Sequence, residues 1–519
     1  MKRAILWAVL LAATAGTALA QSVAGDHLLK PDSRNWLMYS GSYNAQNHSL
    51  LKQITPANAH AVQAKWTYHM AGMKDLESVP LVVDGIMYIS QFNRIDAVDA
   101  RTGNIIWKYQ RQPVSTAWQK GTAIHGNKIY VVTNDSHLLA LDTRNGSVLW
   151  DVKSDGGDIL AGGAPIVARG KVIVGGNRPN GFLQAYDAET GKYIWTWYAV
   201  PKKGEPGSET WGDYTPSGGP IWGSGAFDPE QNLLIWGTGE PRPTWTGKER
   251  PGDNLYTDCI VALDVETGKL KWYFQNTPHD VHDWDSLEMP ILVDTMFKGK
   301  MRKLVLQANR NGFYYVLDRT TGEFLQGTPF VRKLDWASGL DPKGRPIVVP
   351  GHEPTAAGTT TCPSSMGATN WPSPAYNPDT KYFYVIVAEG CAVNVASGNG
   401  GGYNESPKEG EGWQAFVRAL DATTGKIMWD YRAVRSNHYG PGLVSTAGGV
   451  IFAGEQFGQF TALDAKSGKP LWHYNTGDLI TASPIVYSVD GKQYVAIASN
   501  TNIFAFGLPD AAPAGKAKP

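Results

Sequence analysis

The chain has 519 residues, with 58 Gly, 32 Pro and 19 Trp, so turns and aromatic packing dominate and there is little sign of long amphipathic helices. Forty-seven Lys and Arg balance 47 Asp and Glu, and this zero formal charge argues against nucleic acid as a partner and gives no reason to expect binding to an anionic membrane. The first twenty residues read as a signal peptide: Lys2-Arg3 is a positive start, Ala4 to Ala15 is an apolar run too short to span a bilayer, and Ala18-Leu19-Ala20 is a cleavage site. The mature chain is expected to begin near Gln21, and no later segment is apolar enough over sufficient length to cross a membrane.

The next signal is a repeat. Asp-x-x-(Thr/Ser/Asn)-Gly recurs with Trp eight residues after the Asp, from Asp99 to Trp107, Asp142 to Trp150, Asp187 to Trp195, Asp264 to Trp272, Asp421 to Trp429 and Asp464 to Trp472. A copy at Asp318 keeps Thr321-Gly322 and has lost its Trp. Each copy reads as a strand, a tight hairpin in which Gly supplies positive φ, and a second strand carrying the Trp. Upstream, Val79-Pro80-Leu81, Ala164-Pro165-Ile166 and Ser483-Pro484-Ile485 each open another apolar strand pair, giving four strands per unit. That is the content of one propeller blade. Adjacent copies lie 43 residues apart at Asp99 to Asp142 and at Asp421 to Asp464, whereas the longer gaps after Asp187 and Asp318 hold insertions.

Seven hairpins leave Trp66, in Ala-Lys-Trp-Thr-Tyr, as the end of a repeat without its beginning. Asn502 to Phe506 is an inner-strand sequence with no hairpin after it. Pairing the two makes an eighth blade and removes the free edges. The fold expected is therefore all-β: an eight-bladed β-propeller over residues 21–508, with tryptophan docking between blades and a disordered tail over 509–519. The Trp series is read as blade packing rather than as ligand contacts. Cys362 and Cys391 flank a Pro- and Gly-rich insertion and are expected to form a disulfide, while Cys259 lies in an apolar strand as a buried thiol. No CxxCH sequence for covalent haem is present. The segment Leu325 to Trp413 is expected to cap one end of the propeller axis.

Three runs carry a family resemblance: Gly252-Asp253-Asn254-Leu255-Tyr256, Thr277-Pro278-His279-Asp280-Val281-His282-Asp283-Trp284-Asp285, and Asn309-Arg310-Asn311-Gly312-Phe313. With the repeats, they make nearly all of the mature chain similar to the quinoprotein alcohol dehydrogenases, which use pyrroloquinoline quinone (PQQ). The resemblance implies a periplasmic enzyme that oxidises a small alcohol by hydride transfer to PQQ beside a calcium or lanthanide ion. Electrons would pass to a separate cytochrome c or another periplasmic acceptor. It also implies roles for particular residues. Asp283 matches the catalytic base and Asp285 the additional carboxylate of lanthanide-using members, an anionic oxygen that favours a more highly charged ion. Trp222 matches the indole beneath the cofactor ring, and Arg310 the cation beside the quinone oxygens. Glu77, Lys120, Asn370 and Trp371 match contacts around the cofactor.

Departures from the family pattern cluster at the metal. The loop that supplies a metal-binding Glu reads Gly175-Gly176-Asn177-Arg178-Pro179-Asn180-Gly181, while Glu240 stands where the family has Asn. Lys120 replaces an Arg, which turns a bidentate donor into a point charge. Val114-Ser115 replaces a vicinal cysteine pair. Two arrangements follow. Either Glu240, Asp283 and Asp285 form a relocated three-carboxylate cage for the ion, or Arg178 projects into the vacated position and pairs with Glu240 in place of a metal. The alternative to an enzyme is a propeller that has lost PQQ or metal and acts as a non-catalytic binding protein.

Overall fold

The structure, a computed structural model, describes residue 28 and residues 32–510 except 92, 113–118, 155–158, 160–161, 397–401, 405–413 and 434–440. The expected signal peptide, Val114-Ser115 and residues 511–519 of the expected tail lie outside the described residues. Eight blades form a closed ring, each built on a four-stranded antiparallel meander, spanning residues 81–110 (blade 1), 123–153 (blade 2), 166–198 (blade 3), 226–275 (blade 4), 291–329 (blade 5), 375–432 (blade 6), 443–475 (blade 7, where His48–Ser49 adds a fifth, parallel strand) and 485–507 (blade 8). Blade 8 takes its fourth strand from the other end of the chain, Gln63–His69. In blade 1 the first strand, Leu81–Val83, is wholly buried, whereas the fourth, Ile105–Gln110, is half exposed. First strands therefore line the inside of the ring and fourth strands its rim.

The repeat explains the ring. Asp99 accepts the Arg101 amide on Oδ1 (2.8 Å) and the Gly103 amide on its backbone oxygen (2.8 Å), and Gly103 turns the chain at φ +74°. The same glycine leaves room for the preceding blade. A Cβ on Gly103 would stand 2.7 Å from the Trp66 ring, and one on Gly322 would stand 2.6 Å from Trp272. Trp66, Trp107, Trp195, Trp272 and Trp429 then donate Nε1–H to the carbonyls of Ala100, Thr143, Val265, Arg319 and Ala465 in the next blade. Blade 5, which lacks its Trp, docks on blade 6 through Thr328 Oγ1 to Thr424 O (3.0 Å) and Tyr314 OH to Ala422 O (2.9 Å).

Ring closure follows the sequence expectation. Gln63–His69 pairs antiparallel with Asn502–Gly507, with Trp66 opposite Ala505. Cys362 and Cys391 form a disulfide, and Cys259 is a buried thiol. Two boundaries shift. Residues 325–413 are not one cap, because Phe324–Pro329 is the fourth strand of blade 5 and Ala375–Asn377 and Tyr382–Glu389 are the first two strands of blade 6. The inserted part of 330–374 contains the hairpin Ala337–Leu340 with Pro346–Val348, tied to the 252–254 loop by a two-bonded Arg345–Asp253 ion pair (2.7 and 2.6 Å). Asp510, assigned to the tail, instead pairs with Lys492 (2.5 Å) and Lys65 (3.3 Å). No described helix is long and apolar enough to cross a membrane.

Candidate functional site

In an antiparallel meander the turns alternate between the two ends of the blade. The Asp-x-x-x-Gly hairpins join third and fourth strands, so the turns between second and third strands and the connections between blades share the opposite face. Every candidate residue lies on that face. Glu77, Lys120, Trp222, Asp283, Asp285, Asn370 and Trp371 occupy connections between blades, while Glu240 and Arg310 follow the second strands of blades 4 and 5. Residues up to about 290 positions apart in sequence thus converge by topology alone.

At the centre, one ligand oxygen from each of Glu240, Asp283 and Asp285 lies within 4.8 Å of the others. Close backbone approach permits this. Gly237 passes the 286 backbone so closely that a Cβ would stand 1.8 Å from Ser286 O, and a Cβ on Gly239 would stand 2.5 Å from Asp285 Oδ1. The Glu240 amide donates to Asp285 Oδ1 (2.8 Å), and Trp222 Nε1 donates to Asp285 Oδ2 (3.0 Å). Asp283 adopts φ +65°, a left-handed conformation that Asp tolerates better than most residues. Its carbonyl is held by Arg310 Nη1 at 2.6 Å.

Arg310 organises the cluster. Its Nη2 donates to Asn370 Oδ1 (3.1 Å) and approaches Asp285 Oδ2 (3.5 Å), its Nε lies 3.7 Å from Glu288 Oε1, and its guanidinium carbon is 5.6 Å from the Trp222 ring centre. Asn370 is fixed in turn through Nδ2 to Met366 O (2.9 Å). On the other side Lys120 pairs with Glu77, and its Nζ stands 3.3 Å from the Trp371 ring centre and 5.7 Å from that of Trp222. Two indoles and two cations therefore enclose one polar centre.

Burial sets the electrostatics. It pushes the Glu240 carboxyl well above its ordinary range, with Asp285 and Asp283 adding repulsion. Asp283 is raised by burial and then by Asp285, against the opposing pull of Arg310. Burial lowers the Lys120 ammonium, and Glu77 opposes that shift. Three clustered carboxylates under such strain form a hard-oxygen donor set suited to a calcium-like or lanthanide cation. The flat indole face of Trp222 and the donors on Arg310 and Lys120 suit a planar, anionic, oxygen-rich cofactor. The residues present fit both groups.

The sequence reading placed every candidate residue in this neighbourhood, with one correction. Arg178 does not fill the vacated metal position: it lies exposed, and the cation paired with Glu240 is Arg242 (Nε to Oε1 3.6 Å). The reason is local, because Arg242 follows Glu240 by two residues whereas Arg178 belongs to a loop in another blade. Three further residues carried no sequence signal: Glu288 behind Arg310, Arg242, and Asp258, whose buried carboxylate oxygens have no hydrogen-bond partner among the described residues. Only proximity to Glu240 could have pointed to Arg242.

Known proteins resemble this chain in sequence and in fold. A family model described as glucose/ethanol/alcohol dehydrogenase, beta-propeller domain, matches residues 36–329, and a second, described as outer membrane protein assembly factor BamB, matches 414–506. The chain is 35% identical over 550 residues to quinoprotein alcohol dehydrogenase PedH of Pseudomonas putida, covering 95% of this chain and 90% of that one. It is similar to the crystal structure of quinohemoprotein alcohol dehydrogenase from Comamonas testosteroni, with TM-score 0.87, 31% identity, and coverage of 95% and 83% of the two chains. A europium-containing methanol dehydrogenase superimposes with TM-score 0.84 at 28% identity, covering 93% of this chain and 100% of that one.

Proposed function

The chain belongs to the PQQ-dependent alcohol dehydrogenase family, and from that premise we propose that it oxidises a small alcohol with PQQ and a calcium or lanthanide ion held on the propeller axis. The observation that carries this reading is the convergence of Glu240, Asp283 and Asp285 to within 4.8 Å, next to Trp222 and Arg310. PQQ would be held between Trp222 and the wall formed by Glu77, Lys120, Asn370 and Trp371, with Arg310 at its oxygens. Glu240, Asp283 and Asp285 would hold the cation. When bound, the quinone supplies a hydride acceptor and the ion supplies Lewis-acid polarisation of oxygen.

The protein's own part follows from its side chains. Asp283 is placed to take the hydroxyl proton of the alcohol as hydride leaves the carbon that bears that hydroxyl. Arg310 is fixed by its bonds to the Asp283 carbonyl and the Asn370 amide oxygen, and its guanidinium charge would stabilise negative charge that develops beside it. Trp222 couples the apolar floor to the carboxylates through its bond to Asp285, so orientation of the ring and of the ligand set are linked. Export to the periplasm and electron delivery to a separate cytochrome c complete the proposal. They rest on the signal-like N-terminus and on the resemblance to the family.

The test is to add PQQ to purified protein with calcium, with lanthanum, or with neither, following Trp fluorescence and dye reduction by primary alcohols. Saturable quenching and alcohol-dependent dye reduction are expected with at least one ion. No saturable binding under any metal condition would overturn the proposal.

A further inference from the structure

Two cations approach the three-carboxylate cluster, and they are held differently. Arg310 is 7% exposed and bound to Asp283 O and Asn370 Oδ1, so it is a fixed part of the wall. Arg242 has 45% of its side chain exposed, against 10% for Glu240, and meets Glu240 at 3.6 Å. Its backbone is anchored by the amide to Ser217 O at 2.9 Å, so the guanidinium is a tethered charge on a free arm at the rim. The contact is an ion pair without the short, paired bonds of a locked Arg–carboxylate fork.

We propose that Arg242 is a displaceable counter-cation that occupies Glu240 and competes with the metal ion for it. This rests on the reading of Glu240, Asp283 and Asp285 as the cation site and adds a control element to it. The ion and the guanidinium both need the Glu240 carboxylate, and like charges repel at this distance, so ion entry requires the arm to swing toward solvent. Its half-exposed position makes that movement sterically easy. The arm then sets metal affinity without being a ligand, and a trivalent ion feels it more than a divalent one.

Trp222 provides the readout, because its indole is 3.0 Å from Asp285 Oδ2 and can sensitise emission from a bound terbium ion. Terbium would be added to wild type, Arg242→Gln, Arg242→Lys and Glu240→Gln without PQQ, with calcium as a displacing ion. Arg242→Gln is expected to bind terbium about tenfold more tightly than wild type, and Arg242→Lys to resemble wild type. The gap between Arg242→Gln and wild type should shrink at high salt, since the arm is exposed. Glu240→Gln should weaken binding, and adding Arg242→Gln to Glu240→Gln should change it no further. Equal affinity of wild type and Arg242→Gln overturns this inference while leaving the cation site standing. Absence of sensitised emission in every protein overturns the cation site, and the inference with it.

Discussion

Asp283, half-buried, and Asp258, fully buried, are both carboxylates with raised proton affinity, yet their surroundings assign them different parts. Asp283 faces Asp285 and Arg310 at the convergence of the site, so its proton affinity is positioned for use. Asp283→Asn keeps the shape and tolerates the left-handed backbone. Alcohol-dependent dye reduction should fall by about 10²- to 10⁴-fold while PQQ still quenches Trp fluorescence. Loss of both signals together would instead assign Asp283 a structural role. Asp258 has no hydrogen-bond partner for either carboxylate oxygen among the described residues, and burial, then Asp280 and Asp285, hold its carboxyl well above the usual range. A raised folded-state value means that the folded protein binds this proton more tightly than the unfolded chain. The stability it contributes is complete below the unfolded value near pH 4 and is lost as pH rises through the folded value. Asp258→Asn, which suits φ +50° at that position, should therefore match wild type near pH 4 and melt about 2 °C higher at pH 7 in chelator-treated protein. A gap that widens toward acid would refute the assignment.

At the level of the blade, Trp docking is one device with graded redundancy. Trp272 Nε1 donates to Arg319 O (3.1 Å), and its ring fills the space over Gly322. Trp150 packs over Gly191 in the same way, but its Nε1 has no partner among the described residues; the equivalent carbonyl, Ala188 O, accepts only Tyr130 OH (3.0 Å) among them, whereas Thr143 O accepts both Tyr88 OH and Trp107 Nε1. Trp272→Phe therefore removes a buried hydrogen bond as well as volume, whereas Trp150→Phe removes volume alone. The first should cost about 1 kcal/mol more than the second in denaturant unfolding. Equal costs would mean that the indole N–H contributes nothing to docking. This pattern also marks how far the sequence is informative. The Asp, the Gly and the Trp each act within one hairpin or across one blade boundary, so their spacing exposes them directly. Glu240 and Arg242 lie two residues apart in one turn, but that Arg178 does not reach Glu240 depends on how a loop projects from another blade, and no period in the sequence encodes that. The same holds for Glu288, a lone carboxylate whose meaning comes only from Arg310 reaching it across blade 5.

For the whole molecule, what matters is that the ring is closed by one strand pair rather than by a covalent link. The sequence made this visible because Trp66 lacks the start of its repeat and Asn502 to Phe506 lacks its end, so the two halves of blade 8 are complementary. The consequence reaches the site on the opposite face of the hairpins. Glu77 and Lys120 follow blades 8 and 1, while Asp283, Arg310 and Asn370 belong to the connections and turns around blades 4 to 6, so their separation is fixed only while the circle is shut. Ending the chain after Ser499 removes Asn502–Gly507, leaves Gln63–His69 without its partner and exposes the edge of Lys492–Ser499. Unpaired edges of this length template intermolecular pairing. That truncated protein should elute as aggregate in size-exclusion chromatography and lose its cooperative melt. Ending the chain after Asp510 retains the strand and the Lys65 and Lys492 ion pairs, and should leave Tm unchanged within about 1 °C, since exposed pairs and chain ends contribute little. A folded, monomeric product from the first truncation would show that the seven complete meanders hold the ring without closure, and the site would then depend on packing between neighbouring blades rather than on the circle.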